Sequence, residues 1–152
     1  HAIRSTTVVA TNEWKYHAEM QLNLDESLPM VPCNIGEINQ VVLNLIVNGA
    51  HAIRDRFQEN QKGTLTVASK HYPDANCVVI SITDNGGGIP EKVQSRIFEP
   101  FFTTKDVGVG TGQGLAIAHN VIVKSHGGQI WFESKQGEGT TFHIKLLMSK
   151  PS

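Results

Sequence analysis

The chain of 152 residues predicts an α/β domain, and three observations carry that reading. Residues 64–70 (TLTVASK) and 77–83 (CVVISIT) are β-branched runs joined across Tyr72-Pro73-Asp74-Ala75-Asn76, a hairpin signature. Apolar residues at Ile38, Val41, Val42, Leu45, Ile46, Ala52 and Ile53 recur at the spacing of one helix face. Near the end, Phe142, Ile144 and Leu146 alternate with Thr141, His143 and Lys145, the period of a strand with one face in a core and one in water.

Composition narrows the class. Hydrophobic residues at 39% and charged residues at 18% fit one ordinary globular domain. A net charge of −1 supplies no basic footprint for nucleic acid. No apolar run approaches the roughly 18 residues of a membrane span, and no signal peptide opens the chain. Cys33 and Cys77 stand in no metal-like spacing and read as reduced thiols of a cytosolic protein.

The elements follow in order. Residues 1–14 carry no period and read as a linker, the end of an upstream helix or a cloning remnant. Residues 16–24 (YHAEMQLNL) suggest an edge strand, followed by an extended connector over 28–32, where each residue before a proline avoids the helical region. Asn34 caps the long helix, with Glu37 three residues on as a capping-box variant. Glu37, Asn44, Asn48 and His51 share a narrow polar stripe of that helix, either a solvated face or a ligand site. Gln61-Lys62-Gly63 ends the helical region. After the hairpin, residues 91–97 read as a short helix, while Pro100 keeps 98–105 out of regular structure. Residues 108–114 form a glycine-rich loop, 114–125 (GLAIAHNVIVKS) an apolar helix, and His126-Gly127-Gly128 stops it. Residues 130–134 and 140–147 are strands joined through Gly137-Glu138-Gly139.

Chemistry concentrates between Asp84 and Leu115. Gly108, Gly110, Gly112 and Gly114 precede a helix, so their backbone N–H groups could cradle phosphates, or the segment is simply a loop. Dinucleotide and Walker patterns both fail: no G-x-G-x-x-G follows a strand, and no Gly-Lys-Ser/Thr closes the loop. Asp84 at a strand end, with Gly86 and Gly88 after it, could accept a hydrogen bond from an exocyclic amine, or could form an ordinary Asp-Asn turn.

Together these segments resemble the catalytic, ATP-binding domain of sensor histidine kinases, in the superfamily that also holds DNA gyrase B, Hsp90 and MutL. The asparagine box is residues 44–53 (NLIVNGAHAI), the first glycine box 84–90 (DNGGGIP), the phenylalanine box 97–105 (IFEPFFTTK) and the second glycine box 110–117 (GTGQGLAI). The tail 126–134 (HGGQIWFES) through Gly139-Thr140-Thr141-Phe142 matches as well, and the likeness covers roughly residues 15–148. It implies a two-layer α/β sandwich of the Bergerat type: a mixed, mostly antiparallel sheet of about five strands with helices on one face, as one domain over 15–150.

The resemblance also implies roles. Asn48 and Asn44 would hold the Mg²⁺ that bridges the ATP phosphates, since amide oxygens suit a hard cation. Asp84 would bind the adenine amino group, with Thr140 near it through water, and Gly86, Gly88 and Ile89 would line the base pocket. Lys105 and the backbone of Gly110, Thr111, Gly112, Gln113, Gly114 and Leu115 would meet the phosphates, with His51 in reach of them. Residues 98–112 would be a lid ordered by nucleotide. Catalysis would rest on Asn44 and Lys105 as positioning and charge-neutralising groups.

Three departures from the family pattern stand out. Gly49 replaces the usual Ala, adding backbone freedom at about 1 kcal/mol. Gln113 stands where Leu is commonest. Asn44 occupies the place of the general-base Glu of the ATP-hydrolysing relatives, so phosphoryl transfer fits better than hydrolysis. None of His1, His17, His51, His71, His119, His126 and His143 is followed by Asp or Glu, so the acceptor histidine is expected on a separate dimerisation segment. The implied partners are that segment and a response-regulator receiver domain, with no nucleic acid and no membrane contact. The expected setting is a cytoplasmic monomeric domain of a larger kinase, whether or not that kinase is membrane-anchored. The other readings are a degenerate nucleotide-binding switch and an anti-sigma-factor-type serine kinase.

Overall fold

Strand alternation and helix periodicity sort the apolar side chains onto two surfaces that meet. The computed structural model describes residues 3, 18–24, 35–56, 63–89, 91–97, 114–135 and 137–147. In chain order the elements are β1 (Ala18–Asn23), α1 (Ile35–Arg56), β2 (Gly63–Tyr72), β3 (Cys77–Asp84), α2 (Gly114–His119), β4 (Gln129–Lys135) and β5 (Gly139–Leu147). The single sheet has the order β1-β2-β3-β5-β4. β1 runs parallel to β2, and the other three pairs are antiparallel. The mixed, mostly antiparallel sheet of five strands is therefore present, with β1 at its edge.

Each element has a local cause. The helix-period residues of α1, from Ile38 to Ile53, are all buried apart from Ala52, and they pack on Leu65, Val67, Ile80, Ile82, Phe142 and Ile144 from the sheet. Burying each Ile, Leu or Val contributes about 1.5–3 kcal/mol. The β2–β3 hairpin closes at the Tyr72↔Cys77 pair through a 3₁₀ turn over Pro73–Ala75. Asn76 takes φ 53° and ψ 46°, a left-handed conformation that Asn tolerates. β2 runs three residues longer than the β-branched run, because Gly63 pairs with Ala18 of β1 and His71 and Tyr72 continue the pairing with β3 to the turn.

Two expected helices take other forms. Residues Glu91–Arg96 form a 3₁₀ helix. The apolar helix over 114–125 is α-helical only to His119 and continues as a π-helix over Asn120–Ser125. The wider turn ends where the His126 Nδ1–H donates to the Val121 carbonyl (2.8 Å) and the Gly128 N–H donates to the Ile122 carbonyl (2.8 Å). Gly128 passes so close to the Lys145 carbonyl that a Cβ there would collide with it. Cys77 is a buried free thiol. The Asn34 cap, Cys33, residues 1–14 and the 98–105 segment lie outside the described residues, apart from Ile3, which packs against the core.

Candidate functional site

The site is assembled where α1 crosses the ends of β3 and β5. Asp84 ends β3 and faces Thr140 in register on the helix-covered side of the sheet. Both are buried, at 7% and 5% exposure. The Gly86 N–H donates to Asp84 Oδ1 (2.9 Å), and the backbone of Thr140 supplies a second hydrogen bond. Burial pushes the Asp84 carboxyl up to about 6, with the Gly86 and Thr140 bonds pulling the other way. A carboxylate so placed is held by two backbone donors and largely stripped of water.

Helix α1 presses directly on this carboxylate. A Cβ built on Gly49 would come within 2.6 Å of Leu65 Cδ2, 3.4 Å of Asp84 Cβ and 3.6 Å of Asp84 Oδ2. The Gly49 departure thus answers to space: Leu65 fills the volume that an alanine methyl would take. One turn on, Ala52 meets Gly86, where a Cβ would lie 2.6 Å from the Ala52 backbone carbon. Gly86 therefore seats the loop against α1, a tighter demand than admitting a flat ligand. Gly88 takes φ 75°, which glycine adopts without strain.

Asn44 and Asn48 are half-buried neighbours on α1, one residue from this contact line, with His51 also half-buried. Asn44 Oδ1 accepts from Gln40 Nε2 (3.1 Å), which orients its amide. Leu115 packs against the core at the start of α2, beside Gly114. Lys105, Gly110, Thr111, Gly112 and Gln113 lie outside the described residues. Of the sequence-derived site, the structure brings together the asparagine helix, the Asp84 loop and Thr140.

Several supporting residues escaped sequence reasoning. Asn85 Oδ1 accepts from the Thr64 N–H (2.8 Å), extending the β2–β3 ladder beyond its last pair. Gln94 Nε2 donates to the Ile89 carbonyl (3.0 Å), and the Ile89 N–H donates to Ser134 Oγ (2.8 Å). Gly139, at φ 131°, runs against the Asp84 carbonyl. A glycine with a required positive φ was the only signal, and G-E-G alone says turn rather than contact. A shallow depression of about 330 Å³ at this end of the sheet shares Asp84, Ser134 and Thr140 with the site. Its other walls include Thr83, Glu133 and Thr141, which alternate to the uncovered side.

Comparison with known proteins agrees with this geometry. The family described as histidine kinase-, DNA gyrase B-, and HSP90-like ATPase matches residues 33–150. Sensor kinase CckA of Brucella abortus is 41% identical over 139 residues, covering 84% of this chain and 14% of that protein. Sporulation kinase E of Bacillus subtilis is 36% identical over 130 residues, covering 86% and 16%. The chain thus spans about a seventh of the length of these relatives. The catalytic domain of histidine kinase ThkA superposes with a TM-score of 0.79 at 30% identity, covering 97% of this chain and 92% of that one. ThkA in complex with the response regulator TrrA gives 0.76 at 27% identity, covering 97% and 40%. With a buried carboxylate at the end of β3, an asparagine helix against it and these likenesses, the chain belongs to the histidine kinase-, DNA gyrase B- and HSP90-like ATPase family, as a catalytic domain of the sensor histidine kinase type.

Proposed function

We propose that this domain binds Mg·ATP between α1 and the segment over residues 98–112. It then delivers the γ-phosphoryl group to a histidine on a separate dimerisation segment, from which a response-regulator receiver domain would take it. The buried Asp84 carboxylate, locked between Gly49 and Thr140, is the observation that carries this reading. An adenine amino group would add a further donor to a carboxylate that already accepts from the Gly86 and Thr140 backbone.

The donor set also fits the metal. Among the described residues no three His, Cys, Asp or Glu gather as ligands, so the chain builds no cage of its own there. Two amide oxygens one turn apart, Asn44 and Asn48, suit a Mg²⁺ that arrives on phosphates and keeps part of its water. Asn44 and Asn48 would hold the ion, which would supply charge neutralisation at the phosphates. Asn44 would position rather than accept a proton, because an amide is no base, which favours transfer over hydrolysis. Lys105 and Gly110, Thr111, Gly112, Gln113 and Gly114 would complete the phosphate contacts by charge and backbone N–H groups. Among the described residues no helix is long and apolar enough to cross a membrane. We place the domain, over 15–150, in the cytoplasmic part of its parent kinase.

The test is transfer of labelled γ-phosphate from Mg·ATP to the parent's histidine-bearing segment supplied in trans. Acid-labile, base-stable label on that segment is expected, and its absence with intact nucleotide binding would sink the kinase reading. The carboxylate form of Asp84 is the one that accepts. ADP affinity should therefore hold above pH 6 and fall about tenfold per pH unit below it, read by calorimetry.

A further inference from the structure

Packing at the end of β3 imposes a dipeptide that is chemically unstable. Asn85 Oδ1 accepts from the Thr64 N–H (2.8 Å), and Gly63 lies so close that a Cβ there would meet the same oxygen. Position 85 thus calls for a short side chain ending in an acceptor, and an aspartate would set a second carboxylate beside Asp84. Position 86 admits no side chain, since a Cβ on Gly86 would lie 2.6 Å from the Ala52 backbone carbon. The outcome is Asn-Gly, in which a backbone nitrogen with no side chain to shield it follows a side-chain amide. That nitrogen can close a ring on the amide carbon and expel ammonia. A bulkier residue 86 would slow the reaction, and the Ala52 contact rules one out.

A hydrogen bond stands in the way. Ring closure requires the Gly86 nitrogen to give up its proton and turn its lone pair onto Asn85 Cγ. In the fold that N–H donates to Asp84 Oδ1 (2.9 Å). Even pushed up to about 6, the Asp84 carboxyl is far too weak a base to take an amide proton, and its charge opposes the anion that would form. The Thr64 N–H, by contrast, polarises the Asn85 carbonyl and would steady the oxyanion of the addition step. We propose that Asn85 is a latent deamidation site, held shut by the Asp84–Gly86 hydrogen bond. When that bond opens, the Gly86 N–Cγ bond forms and the Cγ–Nδ2 bond breaks, and the Gly86 proton leaves with the amide nitrogen as ammonia. Water then opens the succinimide to aspartate or isoaspartate. Either product sets a new carboxylate beside Asp84, and isoaspartate also lengthens the backbone where Gly86 seats against Ala52. Asn48-Gly49, the other such pair in the chain, is an internal control, because Gly49 lies inside α1 and its N–H is spent on the helix ladder. The inference stands on the loop and is independent of the nucleotide reading.

The experiment follows deamidation at residues 85 and 48 by peptide mass spectrometry during incubation at mildly alkaline pH. Folded wild type, folded Asp84→Ala and wild type in urea are compared, with circular dichroism reporting the fold. In urea both asparagines should lose ammonia, and in folded wild type both should persist. In folded Asp84→Ala, Asn85 should react about tenfold faster or more, the factor that one hydrogen bond to a charged group carries, while Asn48 stays intact. If Asp84→Ala does not fold, Asp84→Leu removes the same acceptor from a dry site and carries the same expectation. An Asn85 that is equally slow in the folded variant overturns the lock, as does one that reacts in folded wild type as fast as in urea. Joint acceleration of Asn85 and Asn48 in the variant assigns the effect to general loosening and overturns it too. An Asn85 that persists even in urea overturns the site itself.

Discussion

On the covered side of the sheet, Asp84, Thr140 and Ser134 form one polar group under α1, with Asp84 only 7% exposed. On the uncovered side, Ser81 Oγ meets His143 Nδ1 (2.8 Å), and His143 Nε2 meets Glu133 Oε2 (3.3 Å). The His143 ring there stacks on Trp131 with centroids 5.1 Å apart, and Thr83 pairs with Thr141 at 3.0 Å. The residue types are alike and the hydrogen bonds equally short. What differs is water: the Glu133 side chain is 77% exposed, so its contact with His143 is made in solvent and contributes little. On the covered side burial raises the Asp84 carboxyl against the pull of its Gly86 and Thr140 hydrogen bonds. A serine–histidine–glutamate chain is no site without that desolvation.

The largest expected contrast is in binding. Asp84→Ala should weaken Mg·ADP by about a thousandfold in calorimetry, whereas Glu133→Ala should leave it within twofold. Equal effects would erase the distinction between the two faces. Next comes the backbone that holds the covered group together. Gly139→Ala places a Cβ against the Asp84 carbonyl at φ 131°, and urea unfolding should show a loss of about 3 kcal/mol or more. A neutral result would mean that the β5 entry can shift at little cost.

A stability measurement sharpens the electrostatic half of the comparison. The Asp84 carboxyl titrates near 6 when folded and near 3.8 when free, so the native state holds its proton longer as pH rises. The buried charge therefore costs stability that is absent below about pH 4 and complete above about pH 6, of the order of 2–3 kcal/mol. Asp84→Asn should raise the melting temperature at pH 7, and the gain should vanish as pH falls to 4. A gain that persists at pH 4 would assign it to packing instead. The smallest effect belongs to the uncovered side. His143→Ala, which removes the Trp131 stack, a part-buried hydrogen bond to Ser81 and an exposed one to Glu133, should cost about 1 kcal/mol and leave ADP affinity unchanged.

Much of the architecture was legible because it rests on periodicity. The apolar spacing from Ile38 to Ile53 and the alternation from Phe142 to Leu146 require only that one face be dry, and those faces are the core. The hairpin was equally plain, since Pro73 and Asn76 carry the backbone angles of their turn. The motifs also placed Asn44, Asn48, Asp84 and Thr140 among the candidates, and the fold brings their elements together at one end of the sheet.

What the chain order alone left open depends on neighbours far apart in sequence. Gly49 looked like a loss of helix propensity until Leu65 was found in the space of its missing side chain. The switch from α- to π-helix at Asn120 shows no signature in GLAIAHNVIVKS, because Gly128 beneath the Lys145 carbonyl helps set where that helix must end. Ser134 was one more serine at a strand end until Ile89, Gly139 and Thr140 closed around its hydroxyl. Residue type decides what a side chain can donate, accept or bury. Tertiary contact decides how much water remains around it, and burial at the end of β3 is what raises the Asp84 carboxyl to about 6.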